Sequence, residues 1–432
     1  MPTLTNRWAV LALLFFVRLI FPIHFQSLPP LTVPMMADLG MNFTRVGMLI
    51  GAFMLPGIAL SLPSGLLGVR FGDKRVVLAG LVLMIVGVEL VAVSPSFAPA
   101  FLGRLLSGAG SVLLNVQIAK IITDWFAGRE LSTAMGLHLT AYPLGIALAL
   151  SVLGAVAEWS SWRMAMHLIG LLTVVSLLLM ALLYHDPPAE EAEPATGGRV
   201  VLWRITPIEI WLIVSASLIW NVFNAAYVIF LGFAPTLLVA RGMGIVAAGF
   251  LVGVASWVTI PTGPIGGYLA DRSSRNLWII LGALGSALSI MLIVAGQTPL
   301  LWILALGLAF GLPPGAIMAL PAEVLRPSSR GTGFGIFYTS FFIGMTLLPP
   351  VAGWLQDRTG DAGYALGFAA ALMLLTVPAL LLFRALQRRL PLTPPAPVAG
   401  LASMTPPPLA QVREQARRGV TLLLRARRAG DG

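Results

Sequence analysis

The stretch Trp8-Ala-Val-Leu-Ala-Leu-Leu-Phe-Phe-Val-Arg18-Leu-Ile-Phe-Pro22-Ile-His24-Phe25 decides how the chain is read. Ten apolar residues are interrupted by a guanidinium, which stays charged at any ordinary pH. A helix rises 1.5 Å per residue, so Arg18 stands roughly 15 Å along it, halfway through a hydrocarbon layer about 30 Å thick. A charge at that depth is costly and is kept where it faces a protein interior or a water-filled cavity. No small-residue cleavage site follows the run, and more apolar runs come after it. It therefore reads as a first membrane span, not as a cleaved signal.

The composition agrees. Of 432 residues, 58% are hydrophobic and only 10% charged, and the mean hydropathy is +0.91. A soluble domain carries about 25% charge. There is no cysteine and there are four histidines, so thiol chemistry is absent and little is left for a metal site. Twelve apolar segments follow one another at about 8–29, 45–67, 76–94, 99–121, 132–155, 162–184, 208–233, 243–265, 276–296, 299–320, 330–352 and 363–384. Each is about the 20 residues a span requires. The longest internal gap is polar, rich in proline and glycine, and divides the spans six and six. The expected fold is all-α and integral to the membrane, with twelve transmembrane helices in two pseudo-symmetric six-helix bundles. Residues 1–184 form the first bundle, 185–207 a linker, 208–385 the second bundle and 386–432 a basic, proline-rich tail.

The net charge of +10 reports topology rather than nucleic-acid binding. With the N-terminus inside, only Arg45, Arg163, Arg241 and Arg358 fall outside, and Arg18 and Arg104 fall within spans. The other 21 of 27 basic residues lie inside, nine of them from Arg384 onward. This is a positive-inside pattern with both ends in the cytoplasm. Residues 411–428 alternate leucine and alanine with arginine. They suit either a helix lying on anionic lipid or a disordered basic tail.

The chain also repeats itself. Gly65-Leu-Leu-Gly-Val-Arg70-Phe-Gly-Asp73-Lys-Arg follows the second span and Gly267-Tyr-Leu-Ala-Asp271-Arg272-Ser-Ser-Arg the eighth. Gly136 and Gly145 of the fifth span match Gly335 and Gly344 of the eleventh at one offset, 199. Two related six-helix halves with a central site between them are a transporter architecture. With the fourth-span run Gly103-Arg104-Leu-Leu-Ser-Gly108-Ala-Gly110, these fragments resemble the major facilitator superfamily over residues 8 to about 385. The resemblance implies alternating access, gating loops at Gly65, Arg70, Asp73, Gly267, Asp271 and Arg272, and a bacterial inner membrane. It departs from the family pattern at Val69, where the loop usually carries an aspartate that Asp271 retains in the second copy. Asp73 either substitutes for it or is a solvated turn residue. Within the superfamily the small-anion branches fit best, on the early central arginine and the style of the loops. The drug-exporter signature of the fifth span is imperfect.

The transported solute is expected to be a small anion, an organic carboxylate or an inorganic oxyanion, with protons as possible companions. Arg18 is the leading ligand, because its planar fork of donors matches an oxyanion. The opposing reading pairs it permanently with an acid or with carbonyls. Asn115, Tyr142, Asn221, Asn224 and Tyr338 are the chosen neutral site residues, with Gln26, Ser27, Gln117, Tyr227, Thr339 and Ser340 as further lining. Glu89, Arg104 and His24 are coupling candidates. Each has a structural alternative: Arg104 as a hub on carbonyls of the first span, Glu89 as its partner or as an interface acid on a peripheral helix, His24 as a packed ring. No enzymatic constellation, cofactor, metal or nucleic-acid partner is expected, and the chain is read as a monomer. Efflux of lipophilic or cationic compounds is the alternative, and a receptor or assembly role on the same scaffold is the third reading.

Overall fold

The computed structural model describes residues 6–126, 130–185, 205–296, 298–326 and 329–390. Most of the linker, with Arg199 and Arg204, and the tail with its 411–428 stretch lie outside the described residues, as does Arg129. In lipid every backbone N–H and C=O must be paired within the chain, and the apolar runs answer with helices. The first bundle is built from α1 (Arg7–Phe25), the short α2 (Thr32–Leu39), α3 (Phe43–Phe71), α4 (Asp73–Ala92), α5 (Phe97–Trp125), α6 (Leu131–Trp159) and α7 (Trp162–Leu183). The second is built from α8 (Pro207–Ala240), α9 (Ile245–Arg272), α10 (Arg275–Ala295), α11 (Pro299–Gly311), α12 (Pro313–Val324), α13 (Arg330–Thr359) and α14 (Ala362–Arg389). Twelve segments are long and apolar enough to cross a membrane, with α11 and α12 together making one. The chain is a multi-pass integral membrane protein of two six-helix bundles.

Prolines shape the turn after the first span and break the tenth. α1 stops at Phe25, so Gln26 and Ser27 lie in the turn after the first span rather than inside it. Pro29 and Pro30 then form a 3-10 turn that leads into α2. The tenth span breaks at Leu312, because Pro313 has no N–H to continue the ladder. Pro349 and Pro350 instead lie within the continuous helix α13.

Helix ends leave free carbonyls that lipid cannot satisfy. Basic side chains of neighbouring helices take them. Lys74 donates to the carbonyls of Ala181 and Tyr184 at the end of α7, at 2.8 and 2.6 Å. Arg163 donates to those of Ala92 and Ser94 after α4, at 2.7 and 2.9 Å. Arg241 donates to Ile293 and Val294 at the end of α10. A cation is also favoured there by the helix dipole.

The bundles meet along two pairs of helices, α3 with α13 and α6 with α9. Gly47, Gly51 and Gly57 of α3 lie against Pro349, Thr346 and Phe342. Gly249 and Gly253 of α9 lie against Leu150 and against Ala147 to Ser151 of α6. The two interfaces are copies of one another: Gly47 and Gly51 correspond to Gly249 and Gly253 at offset 202, and Leu150 to Pro349 at offset 199. Glycine is required because side chains would hold the backbones apart. A Cβ on Gly249 would lie 2.8 Å from the Leu150 carbonyl oxygen.

Both interfaces lie at the end of the bundles opposite the linker. At that end each half caps a helix of the other. The Asp357 carboxylate, near the end of α13, accepts the N–H groups of Phe43 and Thr44 at 2.9 and 2.8 Å and the Thr44 hydroxyl at 2.5 Å. Asn42 accepts the N–H of Arg45 at 3.0 Å, so the first turn of α3 is fully capped. Glu158, the offset-199 counterpart of Asp357, accepts the N–H of Val246 in the first turn of α9 at 3.3 Å. These hydrogen bonds join the two bundles. Toward the linker the halves part: Gly65, Gly136 and Gly267 have no neighbour within 4 Å of a Cβ position. Val69 is 79% exposed. The cleft is therefore shut at the Asp357 end and open at the linker end.

Removal of this crossed capping should favour the opposite opening. In this naturally cysteine-free chain, spin labels at Ser96→Cys and Leu300→Cys report the Asp357 end, and labels at Arg75→Cys and Arg388→Cys the linker end. Hydrogen bonds to a charged group contribute about 1.5–3 kcal/mol each. Asp357→Ala is thus expected to lengthen the first distance and shorten the second in a population raised about tenfold or more. Glu158→Ala, with its single longer bond, should act in the same direction and more weakly.

Candidate substrate site in the central cleft

Arg18 lies at the twelfth position of α1, half-buried where the bundles face each other. It has no ion pair or hydrogen-bond partner among the described residues, and its Nε is buried without an acceptor. Its guanidinium carbon stands 5.2 Å from the Phe21 ring centre, one helical turn on. Phe21 stacks on Tyr142 of α6 at 5.6 Å. The hydroxyls of Tyr142 and of Tyr338, on α13 of the other bundle, lie within electrostatic reach of Arg18. So does His138 of α6, whose Nδ1 is buried and unpaired. Among the described residues neither an acid nor a carbonyl neutralises Arg18, the alternative left open by the sequence.

Beyond Tyr142 the cleft narrows to a cavity of about 50 Å³, lined among others by Ile146, Asn224, Tyr227, Ser256 and Phe310. Tyr227 packs face to face on Phe310, with centres 3.8 Å apart, and shares a 3.0 Å hydrogen bond with the Ser256 hydroxyl. Asn224 lines this cavity while its amide donates to Trp220 O in its own helix at 2.8 Å. Asn221 does something else. Its amide bridges to Ser340 O of α13 at 2.9 Å and occupies the space left by Gly344. Its Oδ1 is unpaired, as is that of Asn115 on α5. Arg18, Tyr142, Tyr338 and Asn224 are thus brought to the cleft, whereas Asn221 joins α8 to α13. The aromatic part of the site, Phe21 and Phe310 with Ser256, carried no signal beyond helical spacing: Phe21 is one turn from Arg18, but phenylalanine in a span is unremarkable.

The coupling candidates are placed differently. Arg104 is buried and donates to Leu49 O at 3.1 Å, His24 O at 2.6 Å and Phe25 O at 3.1 Å, with its guanidinium over the Phe53 ring. It caps the carbonyl end of α1 and ties it to α3, which is the hub arrangement among its alternatives. Only one of the two in-span arginines is therefore available to a solute. Glu89 does not pair with Arg104. It meets His167 of α7 at 2.6 Å, near one end of α4, both half-exposed. A glycine at position 170 makes room for the carboxylate. His24 packs as a buried ring against the Thr173 hydroxyl at 2.8 Å.

Asp73 in the first loop is not a solvated turn residue. It pairs with Lys120 of α5 and its side chain is 11% exposed. Asp271 reaches Arg275 at 3.4 Å and is 73% exposed. Arg70 and Arg272 lie over Phe71 and Tyr268 of their own helices. Glu323 takes both Arg275 and Arg384, at 2.9 and 2.5 Å. The acids Asp73, Asp271 and Glu323 are thus paired within their own bundles, in keeping with a cleft open at this end. Because a buried cation on three carbonyls leaves all of them orphaned when truncated, Arg104→Ala is expected to cost about 3–5 kcal/mol of stability. Arg104→Lys should recover only part of it; thermal unfolding in detergent measures both.

The comparisons with known proteins agree with this architecture. Human monocarboxylate transporter 11 is 29% identical over 314 residues, 68% of this chain and 65% of that protein, so the match spans just under two thirds of that relative. The bovine lysosomal dipeptide transporter MFSD1 is 24% identical over 410 residues, 88% of this chain and 86% of that protein. Among solved structures, the inward-open xylose transporter XylE of E. coli superposes with a TM-score of 0.73 at 14% identity, over 88% of this chain and 96% of that one; it is a likeness of fold alone. The sequence pattern of the Major Facilitator Superfamily itself matches residues 14–312 and 234–427. With twelve spans, two bundles and that match across most of its length, the chain belongs to the Major Facilitator Superfamily of transporters.

Proposed function

We propose that the solute carried by this secondary transporter is a small anion, docked on Arg18 in the central cleft. The observation that carries the reading is a mid-span guanidinium with an unpaired Nε and no acid beside it. Burying such a charge costs several kcal/mol, and an anion in the cleft offsets that cost by supplying the missing acceptor. A planar oxyanion suits the fork of donors. Tyr142 and Tyr338 add neutral hydroxyls from the two bundles. The relative named a monocarboxylate transporter supports a carboxylate as the head group.

On the positive-inside pattern, the linker end is cytoplasmic and the form described here faces inward. An outward-facing form would receive the anion at the Asp357 end, and rocking of the bundles would release it at the linker end. A lipophilic cation would meet Arg18 with like charge, which disfavours the efflux reading.

Uptake into proteoliposomes tests this. Arg18→Ala is expected to lower anion uptake by about a hundredfold or more, and Arg18→Lys, which keeps the charge without the fork, by about tenfold. Undiminished uptake by Arg18→Ala, or transport of a lipophilic cation with no anion, would overturn the proposal. Repeating the assay under an imposed pH gradient with Glu89→Gln determines whether the Glu89–His167 pair carries coupled protons: loss of stimulation with retained exchange is the expected result.

A further inference from the structure

The offset of 199 that relates α6 to α13 also relates α1 to α8. Pro22 lies against Gly145, and their counterparts Asn221 and Gly344 lie against each other in the same way. The relation can therefore be carried through the Arg18 cluster residue by residue. Arg18 corresponds to Ser217, Phe21 to Trp220, His138 to Phe337 and Tyr142 to Phe341.

The ring geometry is repeated, and the chemistry is not. The Phe21–Tyr142 stack at 5.6 Å has its mate in Trp220 and Phe341 at 6.2 Å, with Phe337 at 6.4 Å from the same indole. Where the first bundle presents a cation, a phenyl ring, an imidazole and a phenol, the second presents a serine, an indole and two phenyl rings. Ser217, in the place of Arg18, donates its hydroxyl to Val214 O in its own helix. The two clusters adjoin through Tyr338, which is within electrostatic reach of Arg18 and edge-on to Phe337 at 5.6 Å. Trp220 and Phe341 are half-buried, like Phe21 and Tyr142. The Trp220 indole N–H is buried with no acceptor among the described residues. The ionisable side chains of the second bundle that could meet a second charge, Arg241, Arg275 and Arg384 for an anion and Glu209, Glu323 and Asp357 for a cation among them, all stand near helix ends.

We infer that the mate of the Arg18 cluster is a subsite for the uncharged body of the solute, and that the solute is a monoanion with an aromatic or comparably bulky apolar body. The carboxylate docks on the first bundle and the ring lies on the Trp220–Phe341 face of the second. Aromatic faces stack well with a ring and offer nothing to a second charge. Nitrate- and cyanate-sized ions leave this face empty, and a dicarboxylate or a zwitterion brings a charge there without a partner. Contact with both bundles at once also makes the body the part of the solute that reports to the second half. The inference rests on the Arg18 reading and narrows it.

The test compares initial uptake of radiolabelled benzoate, acetate and succinate by the full chain in proteoliposomes. Stacking a ring contributes about one factor of ten. Benzoate is expected to exceed acetate in kcat/KM by about tenfold or more, with succinate the poorest. Trp220→Ala should lower benzoate uptake about tenfold more than acetate uptake, and Trp220→Phe should retain most of the preference. Equal handling of benzoate and acetate by the native chain, or an equal fall for both in Trp220→Ala, overturns the subsite. Failure of the Arg18 reading is seen separately, as undiminished uptake of all three anions by Arg18→Ala. No uptake of any anion by the native chain overturns both.

Discussion

The structure depends on one constraint: a helix end inside a membrane protein must have its free backbone groups satisfied by the chain itself. Charged side chains do much of this work. Lys74, Arg104, Arg163 and Arg241 close carbonyl ends, and Glu158, Asp357 and Glu209, whose carboxylate accepts the N–H of Thr206 at 2.9 Å, close N–H ends. Each such charge meets a helix end of favourable sign, which offsets part of its desolvation. Arg18 falls outside this pattern. It stands in mid-helix, on no helix end, with an aromatic ring below it. The same cost that sets Arg104 on backbone carbonyls leaves this one in want of an acceptor among the described residues.

The internal repeat separates what the scaffold requires from what a solute requires. Where backbones touch, the two halves agree: Gly47 with Gly249, Gly51 with Gly253, Gly154 with Gly353, and the carboxylates Glu158 and Asp357. A Cβ on Gly47, Gly51, Gly249 or Gly353 would come within 3.0 Å of the facing backbone. Where side chains face the cleft, the halves diverge, arginine against serine and histidine against phenylalanine. Rocking of two like bundles asks for the first kind of agreement. Recognition of a solute with unlike ends asks for the second kind of difference.

The same offset shows how the conformation is held. Asp357 and Glu158 belong to one half each and cap a helix of the other, so the shut end of the cleft is secured twice, unequally. At the linker end the charges of Asp73, Asp271 and Glu323 are satisfied within their own bundles. Val69, standing where the family loop usually carries an acid, is exposed.

Span number, bundle division and the depth of Arg18 were legible in the sequence, because the thickness of the hydrocarbon dictates how long an apolar run must be. The repeat was legible as well, since glycines at close contacts recur at a constant spacing. The partners of the buried polar groups were not. Arg104 and Glu89 sit in spans where simple charge pairing joins them, yet Arg104 chose carbonyls at the end of α1 and Glu89 chose His167. Asp73 looked like a turn residue and is held by Lys120. Sequence determines which groups need partners, because burial and charge follow from composition along a span. Which partner each one takes depends on the rotation and tilt of helices against one another, and only the tertiary structure decides that.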